Sequence, residues 1–215
     1  AQPDDLPNRL HIEADGLQLG ELVADVLGDA LLVLLEPLDL LDEFGIPLVG
    51  VDDYEADDVM ATYAVREKGP IRIVTGDRDL FQLVDDRRDV KVVYLARGIS
   101  QHDLVDIKWV SAKYAIPGER YALFAMFRGD PSDGLPGVKG IGEKGAALIA
   151  THFATPEEAI AAATSGHTAL SASLAKKIVE GQEYLKIAPT LVHCAKDVSL
   201  PKIDMPGSRW HLQCD

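Results

Sequence analysis

Two hydrophobic rhythms alternate along the first hundred residues, and only one continues afterwards. Arg9 to Ala14 alternates apolar and polar positions and runs into Asp15-Gly16, the pattern of a short strand entering a turn. Leu31 to Phe44 places its apolar residues at helical spacing and stops at Gly45, a residue suited to a helix C-terminus. Ile46 to Val51 and Ile71 to Thr75 are apolar runs of strand length, and Lys91 to Leu95 is a third, rich in Val and Tyr. Between the first two lies Tyr54 to Lys68, helical in pattern and closed by Gly69-Pro70. Strands alternating with helices predict an α/β fold with a parallel sheet over residues 1–100.

Beyond Ser100 the strand pattern disappears. Helical spacing predicts segments at Trp109 to Ala115, Glu119 to Arg128, Glu143 to His152, Pro156 to Thr164 and Leu170 to Val192. Residues 101–198 are therefore expected to form a helical subdomain, and 199–215, with Pro201, Pro206 and Gly207, an irregular tail that frays. No internal repeat and no low-complexity run interrupts this plan.

Composition narrows the class. With 215 residues, 47% hydrophobic and 26% charged, the chain has the apolar mass for a substantial core. Its longest apolar stretch, Ala30 to Leu35, falls far short of the roughly 20 residues of a membrane span, so no membrane partner is expected. Ala1-Gln2-Pro3-Asp4-Asp5 has neither a basic nor an apolar leader region, so no secretory signal is visible unless one has already been removed. Cys194 and Cys214 suggest neither a metal-ligand spacing nor a disulfide framework, and a reducing cytoplasm is the expectation. A net charge of −14, taken alone, argues against a nucleic-acid partner, because phosphate rewards Lys and Arg. That objection weakens if the carboxylates are clustered, since bound divalent cations would neutralise them.

The acids are indeed grouped. Val51-Asp52-Asp53-Tyr54-Glu55-Ala56-Asp57-Asp58-Val59 sets carboxylates at a strand end and in the first turn of the next helix, with Glu55 and Asp58 on one helix face and Asp57 beside them. Helix N-termini favour acids in any case, so this stretch alone fits a structural role equally well. Val74-Thr75-Gly76-Asp77-Arg78-Asp79 adds two aspartates just past a strand's C-terminal end, the edge where parallel sheets bind ligands. Carboxylates facing one crevice repel unless cations separate them, and oxygen-only donors suit Mg²⁺ or Mn²⁺ rather than zinc. A third group, Arg128-Gly129-Asp130-Pro131-Ser132-Asp133-Gly134-Leu135-Pro136, taken alone, reads better as a turn.

Directly after it comes Gly137-Val138-Lys139-Gly140-Ile141-Gly142-Glu143-Lys144-Gly145. Its glycines permit a tight turn, and the free N–H groups opening the next helix suit a phosphate, with Lys139 and Lys144 adding positive charge. This helix-hairpin-helix spacing would grip a nucleic-acid backbone without reading bases; a plain glycine-rich connection is the alternative. A P-loop is excluded by the lack of a Gly-Lys-Ser/Thr ending.

Taken in order, Gly-Ile-Pro-Leu-Val, Tyr-Glu-Ala-Asp-Asp-Val, Thr-Gly-Asp-Arg-Asp-Leu, Gly-Asp-Pro-Ser-Asp-Gly-Leu-Pro-Gly-Val and Gly-Ile-Gly-Glu-Lys resemble the 5′-nuclease family over about Leu38 to Val198. That family comprises flap endonucleases and the 5′-3′ exonuclease domains of bacterial DNA polymerase I, and a stand-alone bacterial member fits best. The resemblance implies an α/β, parallel-sheet PIN-like core with a C-terminal helix-hairpin-helix subdomain. It implies Glu55, Asp57 and Asp58 as ligands of a first metal cluster, and Asp77 and Asp79 bridging toward a second that Asp130 and Asp133 complete, which overrides the turn reading of the last two. Glu55, Asp57, Asp77 and Asp79 become the expected catalytic residues, holding two or more Mg²⁺ or Mn²⁺ ions. Gly137, Val138, Lys139, Gly140, Ile141, Gly142 and Lys144 become the expected clamp on DNA, which in this family often also holds K⁺. Arg128, Lys176 and Lys177 are candidates for a basic track beside it, the lysine pair fitting a solvated helix face equally well. The implied partner is DNA with a 5′ flap or 5′ end, in replication and repair, with a DNA polymerase as a second candidate and the protein a nucleoid-associated cytoplasmic monomer.

Departures from the family pattern cluster near the start. Of the acids that end the family's two early strands, only Asp15 is available here; it matches the second of them, and the resemblance makes it a direct or water-mediated metal-ligand candidate. Asp15 to Leu35 contains no Lys or Arg, where the family has a basic helical arch. The chain is therefore expected to be a shortened or incompletely recorded form of a longer protein, or a divergent member with impaired catalysis. A branched-DNA-binding protein without turnover, and a Mg²⁺-dependent phosphatase for small molecules, are the rival functions.

Overall fold

The computed structural model describes Leu41 and residues 46–202. The expected strand at Arg9 to Ala14, the ligand candidate Asp15, the arch region and the tail from residue 203 lie outside the described residues; within the expected helix Leu31 to Phe44 only Leu41 is described, and it is helical. Gly50–Pro201 form one compact unit. No helix of the described residues is long and apolar enough to cross a membrane.

Helix α1, Ala56–Arg66, begins where Glu55 adopts an extended backbone, and it buries Val59, Ala61, Thr62 and Ala64. Strand β1, Ile71–Thr75, follows and pairs in parallel with β2, Val90–Tyr94, in the register Ile71 to Val90 through Thr75 to Tyr94. Between them Asp79–Leu83 makes a short 3₁₀ turn that buries Leu80, Phe81 and Leu83. A third strand, β3, Asp103–Val105, pairs antiparallel with β2. The sheet order among the described residues is thus β1-β2-β3; the β1–β2 pairing within residues 1–100 is parallel, as the spacing predicted, and the antiparallel β3 beyond them makes the sheet mixed.

Two corrections concern strands. The strand pattern does not end at Ser100, since β3 lies beyond it. With three residues, and only Val105 buried, β3 is too short to generate a readable alternation. Conversely, Ile46 to Val51 is irregular, with Ile46 and Leu48 exposed. An apolar run becomes a strand only where a neighbour takes up its backbone groups, and among the described residues it makes no ladder pairing.

The helical part comprises α2 (Ile107–Tyr114), α3 (Tyr121–Arg128), α4 (Glu143–His152), α5 (Pro156–Ser165), α6 (Ala172–Glu180) and α7 (Gln182–Val192). Asp106, Thr155 and Ser171 each accept a backbone N–H at a helix start, so the chain's own polar residues set these boundaries. The single helix expected over Leu170 to Val192 is two. Gly181 divides them, and a Cβ there would sit 2.8 Å from Val138 Cγ1, so the break lets the hairpin pack against the helix junction.

Both parts share one core. Phe81 is fully buried and meets Tyr94, Trp109 and Tyr121 edge to face, at centroid separations of 5.0, 5.5 and 5.3 Å. Edge-to-face pairs add specific attraction to the burial itself. The 3₁₀ turn that opens at Asp79 is thereby anchored in the core, and its first residue is held at the sheet edge.

Candidate functional site

At the C-terminal end of β1 the chain turns tightly. Thr75 Oγ1 accepts from the Asp77 N–H at 2.9 Å, and Asp77 Oδ1 accepts from the Asp79 N–H at 2.8 Å. These local bonds fix both aspartates before any ligand is considered.

The loop after α3 is fixed just as firmly. Asp130 and Leu135 exchange backbone bonds of 2.9 Å in both directions, with a 3₁₀ turn at Pro131–Asp133 between them. At its base Gly129 (φ +77) and Gly137 (φ +64) lie against each other; a Cβ on Gly137 would meet Gly129 N at 2.6 Å, so only glycine allows this approach. The outcome is that Asp79, Asp130 and Asp133 each bring a carboxylate oxygen within 4.8 Å of the other two.

Charge at this point is concentrated. Burial, followed by the neighbouring charges of Asp77, Asp133, Asp130 and Asp57, pushes the Asp79 carboxyl up to about 6. Asp57 is likewise pushed up to about 6 by burial, then by Asp77, Glu55, Asp58 and Asp133. Acids from α1, the β1 turn and the α3 loop thus share one electrostatic field. Asp130 behaves oppositely: burial would raise it, but hydrogen bonds from Ser132 and the charges of Arg78 and Arg128 outweigh that and hold it below the ordinary carboxylate value. Its Oδ2 is 2.8 Å from Arg78 and 2.9 Å from Arg128, and Oδ1 accepts from Ser132 Oγ and N.

The acids at the start of α1 are arranged differently. Asp58 Oδ2 accepts the Glu55 N–H at 3.3 Å, closing a capping box, and Asp58 Oδ1 accepts the Ala195 N–H at 2.6 Å. Thr62 and Gln82 add bonds to Ala195, Val192, Cys194 and Val198, so the segment Val192–Val198 is strapped across α1 and the 3₁₀ turn. Asp58 therefore accepts a backbone N–H on each oxygen, bonds that its i, i+3 spacing with Glu55 signalled only as a shared helix face.

The hairpin forms as its glycines suggested. Val138 and Ile141 are buried, so contacts with a strand from these positions could come only through backbone; Lys139, Gly140, Gly142 and Lys144 are exposed. Gly142 starts α4 with no side-chain cap. Lys177 Nζ donates to the Gly140 carbonyl at 2.8 Å, whereas Lys176 is a solvated partner of Glu180 at 3.7 Å. Arg128, placed on the basic track from sequence, is half-buried, pairs with Asp130 and lies over the Phe124 ring at 5.2 Å. Arg78 was missed as a site residue; its place between Asp77 and Asp79 was the available signal.

Residues 30–115 match the N-terminal resolvase-like domain of 5′-3′ exonucleases, and residues 116–209 match their C-terminal SAM fold. The chain belongs to the 5′-3′ exonuclease family. It is 49% identical over 162 residues to a 5′-3′ exonuclease of Streptomyces coelicolor, covering 75% of this chain and 54% of that protein. It is 40% identical over 181 residues to a 5′-3′ exonuclease of Mycobacterium tuberculosis, covering 81% of this chain and 57% of that one. The chain thus spans about half the length of these curated relatives. Its fold is similar to the bacteriophage T5 flap endonuclease solved with DNA and metal ions, with a TM-score of 0.60, 17% identity, and coverage of 83% of this chain and 62% of that one.

Proposed function

We propose that this chain carries the metal-binding and DNA-gripping surfaces of a nuclease that hydrolyses DNA phosphodiester bonds near 5′ ends, as exonuclease or flap endonuclease, in replication and repair. The carrying observation is the convergence of Asp79, Asp130 and Asp133, with Asp57 and Asp77 in the same field. Carboxylates alone make a hard donor set, which suits Mg²⁺ or Mn²⁺, and their mutual repulsion is what a divalent cation would relieve. When bound, two such ions would supply an activated water and stabilise the leaving oxygen. Asp79, Asp130 and Asp133 would hold one ion; Glu55, Asp57 and Asp77 are proposed for the other, with Asp58 acting through the helix it caps. The N–H groups opening α4, flanked by Lys139 and Lys144, would take a strand phosphate. A K⁺ ion at this hairpin would compete with the Lys177 ammonium for the Gly140 carbonyl.

A second reading, branched-DNA binding without turnover, is favoured by one observation: Asp130 already has both oxygens engaged by Arg78, Arg128 and Ser132. The deciding experiment is cleavage of a labelled 5′-flap duplex with Mg²⁺, with Mn²⁺ and with chelator, beside a binding assay. Metal-dependent short products that vanish in Asp77→Asn, with binding kept, are the expected result. Binding without products selects the second reading.

A further inference from the structure

Beside the acid cluster lies a cavity of about 870 Å³, walled by Arg78, Tyr94, Arg97, Trp109, Tyr114 and Arg128, that the reading above leaves unused. We propose that it binds one unstacked nucleotide of a single strand, with the base against Trp109 and Tyr94 and the phosphate among Arg78, Arg97 and Lys113. The proposal takes only the source of the strand from the nuclease reading; the binding requires neither cleavage nor a divalent ion.

Three observations carry it. The first is charge: in a chain of net charge −14, this cavity gathers Arg78, Arg97, Lys113 and Arg128 against only Asp103 and Glu143 on its lining. Arg97 is largely exposed although it pairs with Asp103 at 2.9 Å, and Lys113 is exposed with no ion pair among the described residues. The second is the aromatic wall. Trp109 and Tyr94 are each partly exposed and are braced from behind by buried Phe81, so their rings are already ordered for a base to stack on. A site for phosphate alone has no use for them. The third is position: Arg78 and Arg128 both line the cavity and hold Asp130, so a nucleotide seated here lies one side chain from the convergent carboxylates. The volume falls within the range that encloses ligands of nucleotide size, roughly 300–1,000 Å³.

The test follows Trp109 emission in the full chain carrying Trp210→Phe, which leaves Trp109 as its single tryptophan. In chelator, titration with 5′-phosphorylated tetrathymidylate is expected to quench this emission saturably, and added salt to weaken the binding. The double variant Arg97→Glu, Lys113→Glu, at two exposed positions and with an unchanged circular dichroism spectrum, should raise the Kd by on the order of tenfold or more. A 5′-phosphorylated abasic tetramer should bind on the order of tenfold more weakly than the thymidylate. No saturable quenching, quenching untouched by the double variant, or equal affinity for the abasic strand overturns the proposal. Quenching retained by a chain that fails to cut a flap supports the cavity and sinks only the nuclease reading; cleavage without quenching sinks only the cavity.

Discussion

Glu55 to Asp58 and Asp130 to Asp133 are both short and acid-rich, yet the fold employs them in different ways. At the start of α1, Asp58 spends both carboxylate oxygens on backbone N–H groups, and its neighbours are set by that helix turn. In the loop after α3, reciprocal backbone bonds between Asp130 and Leu135 close the turn; Asp130 has both oxygens engaged by Ser132, Arg78 and Arg128, while Asp133, with only a 3.5 Å bond from Ser132, is left to face Asp79. The comparison teaches that stretches equally dense in acids differ in how many carboxylate oxygens their own hydrogen bonds leave open to a ligand.

The comparison breaks most sharply at Asp79. Asp79→Asn is expected to lower flap cleavage by on the order of 10²–10³-fold, because a cation's contribution of several kcal/mol translates to about tenfold per 1.4 kcal/mol. Asp58→Ala, assayed alongside, should cost about 10-fold, at the low end of the roughly 10–100-fold range for a group that orients ligands; equal losses would erase the distinction. Next in size is Gly137→Ala, which forces a side chain onto a positive φ and into the Gly129 backbone. Denaturant unfolding should show a loss of about 2–4 kcal/mol, and a loss near zero would mean the loop base is pliable. Asp58→Ala should itself cost about 1–3 kcal/mol of stability through the lost cap and strap, which the same unfolding curves would reveal.

The smallest expected effect is the pH dependence of melting in chelator. Asp57 and Asp79 have folded-state values near 6, above their ordinary value of 3.8, so the folded state binds protons more readily than the unfolded one. Their contribution is fully present below 3.8 and is lost as pH rises through about 6. Asp130 and His193 have the opposite sign: the window of Asp130 lies below the ordinary carboxylate value, outside this interval, while His193, held below its ordinary value of 6.5 by burial and then by Lys196, offsets part of the effect within it. The metal-free protein should therefore melt about 2–4 °C higher at pH 5.5 than at pH 7.5. Mn²⁺ should reverse that order, and a flat profile would contradict the shared field of the two acids.

Much of this arrangement could be read from residue spacing. β1 was bounded correctly because apolar residues crowd between Gly69-Pro70 and Gly76, and α4 because it starts at Gly142 and keeps its period to His152. Local pattern failed where distant contacts decide. Gly181 divides a helix because Val138, far away in sequence, needs the space. Ile46 to Val51 has strand composition but no ladder partner among the described residues. For the candidate site, spacing singled out Glu55 to Asp58, Asp77 and Asp79, whereas Asp130 and Asp133 read alone as a turn and entered only through the family resemblance; nothing in the local pattern pointed to the hand that Arg78 and Arg128 have on Asp130. Charge pairs between separate elements leave no period to read.

The strap from Val192 to Val198 also has a kinetic side. Asp58 and Ala195 are bonded across 137 residues of chain, so the loop must close before α1 is clamped beside the acids. On a translating ribosome every acid of the described site is already in the nascent chain while this closing segment is still unsynthesised. The start of α1 is thus expected to be among the last places to acquire its full set of native bonds, which pulse-labelled hydrogen exchange during refolding would show as late protection of the Ala195 amide.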